Sequence, residues 1–461
     1  MTLREVRNPA DGSIVGEVVY GGAPEASAAV ARAAAAFPAW AATPARARAD
    51  ILLRAATSLL GRAEEIGLLL AREAGKRTPE GVGEVRFAAE YFRWFAEEAR
   101  RSEGSIIPHE TVNRRHLVLR RPAGVAVTLT PWNFPVSIQA RKVAPALAAG
   151  CTVVARASEK APLAVAEMFA VLAEAGLPDG VATLVHGPAA EVTEALLQNP
   201  AVRVVSFTGS TAVGRSIMKL AAGRMIRPLL ELGGDAPFIV FADADLDRAV
   251  EGAMLAKFRN NGQSCIAANR FYVEADIYRD FCERFAARVD GMTIGDGTAQ
   301  PIPDLGPLID SDRKSAVEAM VSDALGRGAS RITRERPGLA GSFTAPALLI
   351  DVPPGSALAC EEVFGPVAAI FPFKSEAEAI SLANATEMGL AGYVYTSDLE
   401  RSWRLGEAIE VGILGVNNAL PSVAFAPMGG VKQSGLGREG SHQGLEEFQD
   451  LRYLSLELGT A

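Results

Sequence analysis

The chain has 461 residues, 49% hydrophobic and 22% charged, with a formal net charge of −8. This much apolar content excludes a disordered chain, and at about 150 residues per domain the length predicts two or three domains. The acidic surplus excludes a general nucleic-acid binder, which needs a basic face to displace counterions.

No run of about 18 apolar residues occurs, so no membrane span is expected. The opening MTLREVRNPADG lacks an apolar signal core. Four scattered cysteines, Cys151, Cys265, Cys282 and Cys360, make no disulfide scaffold. With no C-x-x-C, no H-E-x-x-H and no histidine cluster, no metal site is expected. The expectation is a reduced, soluble, cytoplasmic protein.

Helical spacing of apolar residues predicts helices over 22–37, 45–75 and 82–101, with Gly75 and Pro79 as the interruption. RRHLVLRRP, ending at 122, alternates like an exposed strand. Strands and helices then alternate: strands at 124–130, 152–156, 181–185 and 202–207, helices at 136–149, 162–175, 188–198 and 211–222. A second series follows, with strands at 238–241 and 270–273 and helices near 245–260, 277–290 and 311–327. It continues with AAIFPF, a helix at 375–384 and AGYVYT. This rhythm predicts an α/β chain with parallel sheets covered on both faces. The restart of the rhythm at Gly233-Gly234 predicts two α/β domains dividing near 234.

Four places can carry chemistry. After VRVVSF the chain reads Thr208-Gly209-Ser210-Thr211, a turn where backbone N–H groups at a helix start suit a phosphate; a capped βα turn is the competing reading. Cys265, in FRNNGQSCIAANRF, follows a polar segment and can present a nucleophilic thiolate; an inert buried cysteine competes. Cys151 and Cys282 fit that inert reading better. Glu231, at the end of PLLE, is poorly solvated and so placed to be a base; a sheet-end carboxylate facing solvent competes. Asn133, in LTPWNFP, can donate its amide to a developing oxyanion; a turn asparagine competes.

TPWNFP, FTGST, LELGGDAP, FRNNGQSC, EEVFGP and GGVKQSGLGREG stand together in the order and approximate spacing of the aldehyde dehydrogenase superfamily, which the chain resembles over nearly its whole length. The resemblance implies a Rossmann-type cofactor domain (1–101 and 123–233), an α/β catalytic domain (234–431) and a small bridging β element (102–122 and 432–461) that joins subunits of a homodimer or homotetramer. It also implies that Cys265 attacks an aldehyde, that the Asn133 amide and the Cys265 N–H hold the oxyanion, and that hydride leaves for a nicotinamide. Glu231 would then activate the water that hydrolyses the thioester, with Lys142 and Glu439 near the proton path. Thr130, Trp132, Gly209, Ser210, Glu231, Gly233, Glu362 and Phe364 would contact the cofactor.

At the adenosine ribose, relatives usually carry Lys-Pro where this chain has Arg156-Ala157-Ser158-Glu159-Lys160. Glu159 would accept from a ribose diol and repel a 2′-phosphate, favouring NAD; Arg156 and Lys160 would favour NADP. The balance leans to NAD. Arg141, Arg259 and Ser422 match residues that clamp the distal carboxylate in the succinate-semialdehyde dehydrogenase branch. Two buried guanidinium groups need anionic partners, which points to a semialdehyde substrate. Succinate semialdehyde is the expected substrate; glutarate or 2-oxoglutarate semialdehyde and a broader aldehyde range stay open. A cysteine hydrolase or acyl-transferase without nicotinamide is the alternative of another class.

The chain also departs from its relatives. Ala267 stands where some carry a second cysteine, Met428 replaces a phenylalanine in Pro-Phe-Gly-Gly, and a short amino-terminal hairpin is expected to be missing.

Overall fold

The computed structural model describes residues 2–459. An antiparallel hairpin opens it, β1 (Thr2–Arg7) paired with β2 (Ile14–Tyr20). β1 buries only Val6, so it carries no alternating apolar signal.

Four helices follow: α1 (Ala23–Ala42), α2 (Ala45–Gly61), α3 (Ala63–Ala74) and α4 (Thr78–Glu98). The single helix expected over 45–75 is two, because Arg62 breaks the helical geometry at φ −102°, ψ 11°. Pro79 sits in the first turn of α4, where its missing N–H costs nothing. A three-stranded antiparallel sheet draws on the next segment, β3 (Ser105–Ile107) and β4 (Arg114–Pro122).

The βα rhythm then appears as expected. Its elements are β5 (Val125–Leu129), α5 (Pro135–Ala149), β6 (Thr152–Arg156), α6 (Leu163–Glu174), β7 (Ala182–Val185), α7 (Ala189–Leu197), β8 (Val202–Thr208), α8 (Thr211–Ala222) and β9 (Arg227–Glu231). The second series is β10 (Ala236–Val240), α9 (Leu246–Phe258), β11 (Ala268–Glu274), α10 (Tyr278–Asp290), α11 (Ser311–Gly326), β12 (Ser330–Arg331), β13 (Ala347–Ile350), α12 (Ala357–Cys360), β14 (Val367–Phe373), α13 (Glu376–Asn384), β15 (Ala391–Tyr395), α14 (Leu399–Ala408) and β16 (Ile413–Val416). The chain ends with β17 (Gly435–Leu436), α15 (Ser441–Glu446) and β18 (Gln449–Glu457).

Two large sheets result. One runs β17-β9-β8-β5-β6-β7, the other β12-β13-β14-β11-β10-β15-β16, and each is parallel except for its edge strand β17 or β12. β5 and β6 are buried along their whole length, as strands covered on both faces must be. Helices α2 to α6 pack one face of the first sheet, and α1, α7 and α8 the other. In the second sheet Phe238, Phe271 and Tyr393 stack under α9 and α10. Each such fully buried ring contributes about 1.5–3 kcal/mol. β18 closes the small sheet by pairing along all of β4.

Gly233 and Gly234 lie between β9 of one sheet and β10 of the other. β17, from the stretch assigned to the bridging element, instead extends the first sheet. No described helix is long and apolar enough to cross a membrane.

Candidate active site

The carboxyl ends of the first sheet face the amino ends of the second. Asn133 follows β5, Gly209 and Ser210 follow β8, and Glu231 ends β9. From the other sheet, Gly233 and Gly234 precede β10, Cys265 precedes β11, and Glu362 and Phe364 precede β14. The order β8-β5-β6 reverses the chain's winding beside β5, and open α/β sheets bind ligands at that kind of reversal.

The cysteine loop is held by unusual backbone. Asn260, Asn261 and Gly262 are all left-handed, at φ 53°, 59° and 74°, a run that only Asn and Gly tolerate readily. The Asn261 amide donates to the Pro307 carbonyl at 2.9 Å, and its Oδ1 accepts from Gly306 N–H at 2.7 Å. The Asn260 amide donates to the carbonyls of Asn133 (3.0 Å) and Gln263 (2.9 Å). Asn133 Nδ2 also reaches the Gln263 carbonyl, at 3.3 Å, two residues before Cys265. Gly234 passes so close that a Cβ there would lie 2.1 Å from the Cys265 carbonyl oxygen.

Charge is concentrated behind the cysteine. Glu231 is 1% exposed, and burial pushes its carboxyl up, against the pull of Arg141. The Cys265 thiol lies near enough to Glu231 for the carboxylate charge to act on it. Burial, and then the Glu231 charge, push that thiol well above its ordinary value. Arg141 Nη2 stands 3.5 Å from Glu231 Oε2, while its Nε pairs with Glu439 Oε2 at 2.7 Å. Lys142 Nζ pairs with Glu439 and donates to Ser206 Oγ at 3.1 Å. Burial pushes Glu439 up, but Lys142 and Arg141 outweigh it and the net shift is downward. Glu231, Arg141, Glu439 and Lys142 thus form one buried chain of charges behind Cys265.

Beside Cys265 opens a cavity of about 290 Å3, lined by Ser264 and Ile266 from the cysteine loop and by Arg141, Arg259, Ser422 and Met428. All three expected substrate residues line it. One expectation is corrected: Arg141 does not wait unpaired for a substrate anion, because a buried guanidinium needs a counter-charge and Glu439 and Glu231 supply it. Arg259, stacked on the Phe134 ring at 5.1 Å, makes no ion pair among the described residues. Met428, the departure from the family's phenylalanine, lays its sulfur against Arg141 and 3.5 Å from Ser422 Oγ.

On the other side of Cys265 the residues fit a dinucleotide. The Thr208 hydroxyl is buried without a hydrogen-bond partner. A Cβ at Gly233 would lie 3.0 Å from Glu362 Oε2, and Glu362 Oε1 accepts from Gly234 N–H at 3.3 Å. Burial pushes the Glu362 carboxyl up to about 8. Ser210 caps α8, its Oγ accepting from Val213 N–H at 3.4 Å, so the capped-turn reading holds for its side chain. Phe364 meets Trp132 edge-on at 5.4 Å, and Thr130 Oγ1 donates to Gln139 at 2.6 Å.

At the expected ribose end, Arg156 Nη2 pairs with Glu159 at 2.5 Å and donates to the Gly187 carbonyl at 3.1 Å. Burial pushes Glu159 up, and its own backbone N–H and Arg156 bring it below its ordinary value. Ser158 Oγ accepts from Lys160 N–H at 3.3 Å, and Lys160 Nζ pairs with Asp310.

Sequence reasoning missed Lys76, Glu80 and Glu84, which stand in no motif that names a chemistry, and the part played by Asn260 within FRNNGQSC; only long-range contact reveals them. Lys257 was missed too; it is fully buried, donates to Asn269 Oδ1 at 3.0 Å, and burial pushes it down to about 7.

The chain matches the aldehyde dehydrogenase family over residues 2–454. A Sinorhizobium fredii protein named probable succinate-semialdehyde dehydrogenase (NADP(+)) is 46% identical over 451 residues, covering 97% of this chain and 92% of that protein. A Pseudomonas aeruginosa glutarate-semialdehyde dehydrogenase is 44% identical over 453 residues, covering 98% and 94%. The crystal structure of a Burkholderia pseudomallei succinate-semialdehyde dehydrogenase matches with a TM-score of 0.97 at 44% identity, covering 99% of this chain and 95% of that one. Likeness at this level, running through both large sheets and the cleft between them, leaves one assignment: the chain belongs to the aldehyde dehydrogenase family and is an NAD(P)-dependent oxidoreductase.

Proposed function

We propose that the protein oxidises an aldehyde bearing a distal carboxylate, a semialdehyde of the succinate or glutarate class, to the dicarboxylate. One observation carries the substrate class: Arg259 brings a cation without an ion-pair partner into the cavity beside Cys265, with the Ser422 hydroxyl lining the same cavity. A neutral aldehyde leaves that charge unanswered. The names of the Sinorhizobium and Pseudomonas relatives point to the same class.

In this reading the Cys265 sulfur adds to the aldehyde carbon. The Asn133 amide and the Cys265 backbone N–H receive the oxyanion, aimed before charge develops. A bound nicotinamide supplies the acceptor for hydride. Glu231 draws the proton from the water that hydrolyses the resulting thioester. Arg141 and Lys142 behind Glu231 favour its charge, against burial and the neighbouring Glu439 carboxylate.

Arg259→Ala is expected to lower kcat/KM for succinate semialdehyde by at least about 30-fold, the loss typical of removing one partner of a desolvated charge pair. Oxidation of butanal should change by less than about threefold. Equal losses on both substrates reject the carboxylate reading.

We also propose NAD over NADP. Arg156 is tied to Glu159 and Gly187, and Lys160 to Asp310, so neither cation is free for a 2′-phosphate, while the Glu159 carboxylate opposes one. Glu159→Gln removes that repulsion and releases Arg156. It should raise kcat/KM with NADP relative to NAD by about tenfold, or ~1.4 kcal/mol. A ratio that does not move places the determinant elsewhere.

The three-part division by sheets, with Ile106, Leu451 and Tyr453 exposed on the small sheet as a subunit contact, is part of the same proposal.

A further inference from the structure

Three charged side chains from the start of α4 and the turn before it converge on the backbone that carries Asn133, yet no motif includes them. Lys76 Nζ donates to the Asn133 carbonyl and lies over the Phe134 ring at 3.9 Å. Its counter-charge is Glu84, whose Oε2 is 2.8 Å away, and both side chains are 1% exposed. The other oxygen, Glu84 Oε1, accepts from Val136 N–H (2.9 Å) and Ser137 N–H (3.2 Å), the free donors at the start of α5. Glu80 Oε1 accepts from Asn260 N–H at 3.0 Å, and the Asn260 amide closes the ring on the Asn133 carbonyl.

The turn after β5 and the first turn of α5 are therefore fixed, at residue 133 and at residues 136 and 137, by one buried ion pair. A buried pair of this kind is expensive, since both charges leave water, and hydrophobic residues of similar size often replace such pairs without loss of stability. Its geometry gives it another use. Asn133 Oδ1 is buried without a hydrogen-bond partner, and Nδ2 makes only a long 3.3 Å bond, so the side chain by itself is weakly held. What fixes the amide is the main chain it hangs from, and an oxyanion donor loses its effect when displaced by a fraction of an ångström.

We propose that Lys76, paired with Glu84, is a positioning residue that aims the Asn133 amide at the oxyanion formed on the Cys265 adduct. The proposal rests on the reading of Asn133 as the oxyanion donor. Lys76 contacts the Asn133 backbone and so acts through it.

The test compares Lys76→Met, Glu84→Gln, Asn133→Ala and the Lys76→Met/Asn133→Ala double variant in the full-length protein. Two rates are measured for each: turnover of succinate semialdehyde, and alkylation of Cys265 by iodoacetamide, which forms no oxyanion. Loss of a full oxyanion donor costs about 10²–10³ in kcat, so misaiming it is expected to cost about 30-fold. Lys76→Met should lower kcat by that amount, leave KM within about twofold, and leave alkylation within about twofold. In the Asn133→Ala background the same substitution should cost less than about threefold, since the amide it aims is gone.

Glu84→Gln keeps an acceptor for the α5 N–H groups while removing the charge that holds Lys76. It should lower kcat selectively as well, and it carries the test if Lys76→Met does not fold. A loss of alkylation equal to the loss of turnover overturns the proposal, as does a full 30-fold effect persisting without Asn133. If Asn133→Ala turns over like the parent, the oxyanion reading and the proposal fall together. If Asn133→Ala is impaired but both α4-side variants are normal, only the proposal falls.

Discussion

Cys265→Ala is expected to abolish aldehyde oxidation while leaving the dinucleotide bound. No other thiol can take its place. Cys151 and Cys282 are buried, and burial pushes each up to about 11, while Cys360 is exposed in the short helix α12. Of the four, Cys265 alone stands at the junction of the two sheets, near enough to Glu231 to feel its charge. Its resting form at neutral pH is the thiol, so attack draws on a small thiolate fraction. With the sulfur gone, no covalent adduct forms and the loss should approach about 10⁶, as when a protease loses its nucleophile. Formation of reduced nicotinamide measures the first effect and calorimetric titration with cofactor the second. Turnover that survives the substitution rejects Cys265 as nucleophile, and lost cofactor binding means that the substitution damaged the cleft as a whole.

The sequence-based reading succeeded where one element carries its own signal. β6 is found at the expected residues because a doubly covered strand is a short apolar run bounded by turns. α8 begins and ends as expected, since Ser210 caps it and Gly223 closes it. The reading failed where burial is absent or the pattern stays in phase. β1 and β18 are almost wholly exposed, so neither shows a buried face. The α2–α3 junction keeps its Leu and Ala spacing across a backbone break that only φ and ψ reveal.

The site divides in the same way. Cys265, Glu231 and Asn133 could be found because each sits at a strand end in a distinctive polar or glycine-rich setting. The pairing of Arg141 with Glu231 could not, because 90 residues separate them and nothing local marks the contact. Lys76 reaches Asn133 across 57 residues for the same reason. The residues proposed to carry the chemistry stand out one by one in the sequence; the electrostatic partners beside them belong to the tertiary fold.

Glu231→Gln separates the two halves of the reaction, and the charge distribution sets the direction of each effect. After burial, the Glu231 charge is the largest contribution holding the Cys265 thiol above its ordinary value. A neutral glutamine removes that contribution and enlarges the thiolate fraction. Adduct formation and hydride loss should proceed at least as fast as in the parent, and iodoacetamide should alkylate Cys265 faster. Hydrolysis of the thioester loses its base, a step worth about 10²–10⁴. The expected trace is a burst of one reduced nicotinamide per active site followed by slow steady turnover.

The pH dependence gives an independent check. Burial raises the Glu231 pKa, and the base works only when ionised, so parent turnover should fall as pH drops through a value above the ordinary glutamate range. The variant should lack that acid limb. A variant that shows no burst, with its acid limb intact, would assign the base to another residue. A slower rather than faster alkylation would contradict the electrostatic coupling between Glu231 and the thiol, because removing a negative neighbour can only favour the sulfur anion.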